Sequence, residues 1–95
     1  MAESIIQKER ECFFCGRMTD LDEHHVFGGT ANRRISERYG LKVFLCSYHH
    51  RDPQNGAQYN KEMNLLLKRE AQQAFQNIYG HSLWMMLIKK NYLGD

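Results

Sequence analysis

Proline occurs once in this chain of 95 residues, cysteine only three times, and no apolar run approaches the length needed to cross a bilayer. Each shortage excludes something. With one proline, no low-complexity tract, 42% hydrophobic and 25% charged residues, the composition is that of a folded globular protein rather than a disordered chain. Three thiols are an odd number, so they cannot pair off into a disulfide framework. Net charge is nearly lacking too: 13 Lys and Arg against 11 Asp and Glu leave +2, which by itself says little about a polyanionic partner. The polar start "MAESIIQKERE" does not read as a signal peptide. The expectation is a cytoplasmic protein with no membrane partner. A single domain over residues 1–95 has a core of modest stabilising power, which a metal cross-link would supplement.

The distribution of charge is more informative than its sum. Between Val26 and Arg51 lie Arg33, Arg34, Arg38, Lys42 and Arg51, opposed only by Glu37. The acidic residues Asp20, Asp22 and Glu23 gather just before. A locally basic middle suits a polyanion, although a solvated charged face accounts for it equally well.

Patterning predicts an α+β order. Residues 1–10 read as helical or frayed, and a glycine-containing knuckle at 12–17 leads into an extended stretch, "LDEHHVF", at 21–27. "ANRRISERYG" reads as a short helix ending at Gly40, with Ile35 and Tyr39 on one face. "LKVFLC" alternates Leu41, Val43 and Leu45 with Lys42 and Phe44, as a strand does. After the turn-rich "RDPQNG" comes the longest helix, from Asn60 as N-cap to Gly80, with Met63, Leu66, Leu67, Ala71, Ala74 and Ile78 as its apolar stripe. "SLWMMLIKKNY" predicts a last short helix, so that helices occupy about residues 60–92. His81 reads as an exposed loop residue.

Two dyads carry the first candidate site. Cys12-x-x-Cys15 and Cys46-x-x-His49 each let two ligands reach one ion from a single tight turn, and two such turns close a tetrahedron around Zn²⁺. A redox role for Cys12 and Cys15 needs the motif to open a helix after a strand, and "ECFFCGRMTD" instead looks like a strand entering a knuckle. Taking Cys46 as a merely buried thiol and His49 as a surface group leaves Cys12 and Cys15 without a purpose.

Imidazoles stand side by side twice, at His24-His25 and His49-His50. With His49 assigned to the zinc, His24, His25 and His50 remain. Neighbouring side chains in a strand face opposite sides. One ring of the first doublet is then free to ligate an ion while the other meets a reacting water. A divalent cation held by His24 and His50 keeps open positions for phosphate and water, and His25 is placed to take a proton. Alternation also sets Glu23 with His25, as an orienting candidate.

The Cys-x-x-Cys, the "HHVFGG" and the "FLC-x-x-HH" together resemble the HNH endonucleases, in the short zinc-bearing form found in bacteriophages. The resemblance covers about residues 11–61. It implies a ββα-metal (His-Me finger) fold and hydrolysis of phosphodiester bonds in DNA with Mg²⁺ or another divalent cation. It implies His24 and His50 as ligands of that cation and His25 as general base. It also implies a phage origin, with the host cytoplasm as location and phage proteins or a second copy as further partners. In that family a final ligand is usually a histidine a few residues on. Here "RDPQNGAQYN" supplies Asn55, Gln58 and Asn60 as amide donors instead, which suit a hard ion such as Mg²⁺ better than a transition metal. Asn60 reads equally as a helix cap. Arg33, Arg34 and Arg51 are candidates to hold flanking phosphates. The second class of function is a catalytically inactive zinc module that binds nucleic acid or a protein through its basic middle.

Overall fold

The computed structural model describes residues 3–54, 56, 57 and 59–94. Strand β1 (Leu21–His25) pairs antiparallel with β2 (Lys42–Cys46), and helix α1 (Thr30–Tyr39) lies in the connection between them. Helix α2 (Ser47–Arg51) follows β2 without a break; α3 (Lys61–Tyr79) and α4 (His81–Leu87) complete an α+β order. Among the described residues, no helix is long and apolar enough to cross a membrane.

Register decides what each face of the small sheet carries. Leu21 stands opposite Cys46, His24 opposite Val43 and His25 opposite Lys42. Directly opposed residues share a face, so Asp22, His24, Val43 and Leu45 lie on one side and Glu23, His25, Lys42 and Phe44 on the other. The two imidazoles of the first doublet are thereby parted.

α1 stops where the sequence places its end. Gly40 adopts a left-handed conformation (φ 72°, ψ 34°), and its N–H donates to the Ser36 carbonyl, closing the last turn. A side chain there would also collide with the Glu3 backbone. This close approach marks a strap that sequence reasoning missed. Instead of a helix, the segment from Glu3 to Cys12 is irregular and tied to β2: Ile5 N–H donates to Gly40 O, Ser4 Oγ to Lys42 O, and Phe44 N–H to Gln7 Oε1. Phe13 N–H also donates to Phe44 O. The unpaired edge of β2 is thus covered, which removes a site of edge-to-edge association.

The core gathers Leu41, Val43 and Leu45 of the sheet side with Leu67, Ala71 and Phe75 of α3 and Trp84 of α4, all fully buried. On α3 the buried stripe is therefore 67-71-75, an i, i+4 series. Leu66 and Ile78, expected on that stripe, are 44% and 58% exposed. Phe75 anchors the stripe with its ring centroid 5.4 Å from that of Trp84, and the faces rotated away from the stripe are solvated.

α4 ends earlier than expected, at Leu87, and His81 opens it rather than lying in a loop. Lys89 takes a positive φ of 68°, turning the chain back over α3. Three side chains fix this return. Trp84 Nε1–H donates to Lys90 O (2.8 Å), Gln72 Oε1 accepts from Tyr92 N–H (2.7 Å), and Arg69 Nε–H donates to Tyr92 O (3.0 Å). Gln72 is wholly buried, and its amide nitrogen is met by Asn91 and Gln76, so hydrogen bonds offset the desolvation of its polar group.

Replacing Gly40 with alanine should destabilise the protein by about 1–2 kcal/mol for the left-handed backbone alone, and further through displacement of the strap. Gly28→Ala, where a side chain meets nothing within 4 Å, serves as the control. Thermal melts of the two variants check this, with a clear fall in Tm expected only at Gly40.

Candidate metal centre and the histidine pair

Cys12 and Cys15 sit on the knuckle, Cys46 ends β2, and His49 lies one turn into α2. The knuckle is closed by backbone bonds from Cys12 N–H to Arg17 O and from Gly16 N–H to Cys12 O, with Gly16 at φ 77°. Strand pairing does not bring the dyads together, since the knuckle precedes β1. The bond from Phe13 to Phe44 does so by holding the knuckle along the outer edge of β2.

The four donor atoms lie within 4.8 Å of one another. Cys15 Sγ is 3.7 Å from Cys46 Sγ, and His49 Nδ1 is 3.6 Å from Cys12 Sγ and 3.3 Å from Cys46 Sγ. A tetrahedron with ion–donor bonds of about 2.0–2.3 Å has edges of about 3.5–3.8 Å. The 3.6 and 3.7 Å separations match these edges and the 3.3 Å one is slightly shorter, so the four donors could hold one four-coordinate ion. No disulfide joins the cysteines.

Electrostatics point the same way. Burial raises the Cys12 thiol, but backbone bonds at Cys46, Cys15 and Phe14 prevail and bring its pKa down to about 6. At Cys15 the backbone bond at Arg17 favours the thiolate, yet desolvation and the neighbouring Cys12 and Cys46 sulfurs outweigh it and raise the pKa. Crowded thiols oppose one another's ionisation unless a cation neutralises them. A thiophilic metal ion bound here would supply that charge.

The face of β1 carrying His24 packs against α2. The His24 and His50 rings meet edge to face with centroids 5.1 Å apart. His50 Nδ1 is 3.0 Å from Asp22 Oδ2, and Arg51 reaches the same oxygen at 3.0 Å. The His50 bond chiefly, and then Arg51, hold Asp22 below the usual carboxylate range against the opposing effect of burial. An ionised Asp22 can only accept, so in the neutral ring Nδ1 carries the proton and His50 Nε2 the lone pair. His24 Nε2 is buried and has no hydrogen-bond partner. Burial, then His50 and His25, lower its pKa to about 4, so the ring is neutral at neutral pH. An orphaned, neutral imidazole nitrogen beside a second oriented imidazole suits a cation.

On the opposite face, α1 brings Glu37 to His25, with Nε2 2.6 Å from Oε1. The nearly buried Lys42 ammonium lies 3.4 Å from both Glu23 and Glu37. The His25 bond chiefly, and Lys42 after it, hold Glu37 below its ordinary pKa although burial pushes the other way. Oxygens of Glu23 and Glu37 and a ring nitrogen of His25 also lie within 4.8 Å of one another. Lys42 provides the positive charge of that cluster.

Other expected residues have different surroundings. Glu23 faces with His25 as alternation requires, but it pairs with Lys42, and the carboxylate that orients a histidine of the pair is Asp22. Arg51 is tied to Asp22, while Arg33 and Arg34 are exposed on α1. Asn60 caps α3: its Oδ1 accepts from Met63 N–H at 3.1 Å and its amide donates to Gln54 O at 3.1 Å. Asn55 and Gln58 lie outside the described residues. Glu37 and Lys42 were missed as site residues. The only hint was that Glu37 is the lone acid within the basic middle.

No family model, curated protein or solved structure matches this chain.

Two outcomes follow from this geometry. The purified chain should hold about one tightly bound metal ion, as a single N/S tetrahedron implies; Cys46→Ser should lose it and melt at lower temperature, whereas His50→Ala should keep it, by elemental analysis. The depressed pKa of His24 gives a native state that resists the proton. With the His24–His50 pair free of cation, its contribution is complete above about pH 6.5 and is lost as the pH falls towards 4, by about 3 kcal/mol at most. His24→Leu should therefore lose less stability than wild type between about pH 7 and pH 5 in urea unfolding.

Proposed function

We propose that the chain is a metal-dependent nuclease of the HNH kind that hydrolyses phosphodiester bonds in DNA, built on a ββα-metal core and braced by zinc at Cys12, Cys15, Cys46 and His49. The observation that carries the proposal is the unpartnered, buried His24 Nε2 beside His50. Burying an imidazole nitrogen without a partner costs stability, and a bound cation would remove that cost. The antiparallel pair of β1 and β2, joined through α1, with α2 directly after β2, is consistent with the same core.

In this reading His24 and His50 hold the divalent cation, and Asp22 fixes the His50 ring so that Nε2 is the ligating atom. The cation would supply charge neutralisation for the phosphoryl oxygens and the leaving oxygen. His25 is the general base. Glu37, ionised and 2.6 Å from Nε2, accepts the proton on that nitrogen, so that Nδ1 carries the free lone pair for a water. Lys42 anchors Glu37 through its second oxygen. His25 is the last residue of β1, and the two rings of the doublet lie on opposite faces. The scissile phosphate must therefore lie across the end of the strand, with the cation on one side and the base on the other.

Plasmid nicking in Mg²⁺ and Mn²⁺ tests the proposal. His25→Ala should lower the rate by about 10²–10⁴-fold, the usual worth of a positioned base, with zinc content and fold unchanged. His24→Ala should lose activity together with the second metal. Glu37→Gln, which keeps an acceptor near Nε2, should retain more activity than Glu37→Ala. Wild type that binds DNA but never nicks it with either ion would leave a zinc-braced binding module as the function.

A further inference from the structure

A second feature of the molecule gathers charge without neutralising it. Beside the turn that precedes α3 lies an open groove of about 380 Å³, lined by Tyr59, Lys61, Asn64, Lys68, Lys90 and Tyr92 among others. Three of its lining residues are lysines and none is acidic. Among the described residues, none of the three lysines makes an ion pair with a carboxylate.

The lysines are held in place. Lys68 Nζ lies 5.5 Å from the centroid of the Tyr92 ring and Lys90 Nζ lies 5.2 Å from it, so two ammonium groups share one aromatic platform. That platform is fixed: Trp84, Gln72 and Arg69 bond the backbone of residues 90 and 92. Desolvation first, and then the charge of Lys90, lower the pKa of Lys68, the signature of a cation kept near another cation in a half-buried place. Packing of the C-terminal segment over Phe27 explains the burial of Tyr92, whose ring lies 5.8 Å from that of Phe27. It does not explain why two like charges converge there with no counter-charge among the described residues.

We propose that this groove is a binding site for a phosphodiester strand, with Lys68, Lys90 and Lys61 receiving consecutive backbone phosphates and the exposed Tyr59 ring offering a face for a base. The exposure of Tyr59, 59%, leaves its ring free to stack. An acidic peptide would satisfy the lysines but would make no use of a solvated aromatic face. Position favours nucleic acid as well. Ala57 lines the groove, and its N–H donates to His49 O at 2.7 Å, one residue from His50. Ala57 thus links the groove to the helix that carries His50. The location of the groove relies on the nuclease reading for its purpose; its anion chemistry does not.

Fluorescence anisotropy of the zinc-loaded protein with a labelled single-stranded oligonucleotide, without added divalent cation, tests the groove apart from cleavage. Lys68→Gln/Lys90→Gln keeps the side-chain stems and removes the charges. Its affinity should fall about tenfold or more at low salt, and the slope of log K against log salt should shrink by about 1.4 for two lost contacts. Tyr59→Ala should weaken single-stranded binding by about fivefold or more, on the scale of one lost base stack. Circular dichroism must show the variants folded; Lys90→Gln alone, at an exposed position, gives a second reading if the double variant is not. Unchanged affinity and slope in a folded variant would overturn the proposal, as would a wild type that binds no oligonucleotide or prefers a poly-glutamate peptide of equal charge. Nicking with a groove variant unaffected in binding would sink the groove alone. Binding without nicking would sink the nuclease and leave the groove standing.

Discussion

Convergence of Cys12, Cys15, Cys46 and His49 is the constraint from which the remaining geometry follows. It joins an irregular N-terminal knuckle to the junction of a strand and a helix, where Phe13 and Phe14 also pack against the core. The β1–β2 pair is only five residues long on each side, and a two-stranded sheet of that length is marginal by itself. An ion bound there would join knuckle to junction and pin α2 at its first turn, on the side where His50 meets His24. The strap from Glu3 to Phe13 is held along the open edge of β2 by its own hydrogen bonds.

Two electrostatic arrangements sit back to back across β1. On the α2 side, Asp22, His50 and His24 form a chain in which one carboxylate orients an imidazole and a second imidazole keeps an unsatisfied nitrogen. On the α1 side, Glu37, His25, Glu23 and Lys42 form a closed network in which Lys42 lies 3.4 Å from both carboxylates and Glu37 also meets His25. The asymmetry is chemical. A network that closes on itself fixes a ring in one orientation, whereas one with a missing partner is set up to receive a ligand. Placing the two on neighbouring residues of one strand lets a single element position both, and strand alternation keeps them from neutralising each other.

The C-terminal half has a different task. α3 and α4 bury Phe75 and Trp84 behind the sheet, and the return of residues 88–94 is fixed by side chains that would otherwise be exposed or unsatisfied. That return carries Lys90 and Tyr92 to Lys68, converting a packing feature into a basic groove. The helix stripe at 67, 71 and 75 is the physical link, since it sets which face of α3 meets the core and therefore which face carries Lys61 and Lys68 outward.

Much of this was legible in the chain itself. The i, i+3 spacing of both dyads, the alternation of "LKVFLC", the cap at Asn60 and the stops at Gly40 and Gly80 are local rules, set by backbone sterics and by hydrogen bonds spanning a few residues. Strand alternation likewise separated His24 from His25 and placed Glu23 with the latter. Tertiary structure alone decided the rest: that the segment from Glu3 to Phe13 lies along a strand edge, that Leu66 and Ile78 face water, that Asp22 orients His50, and that Glu37 and Lys42 enclose His25. Those outcomes depend on which surfaces meet across long stretches of sequence, and such meetings are chosen by packing and charge pairing that no local pattern records.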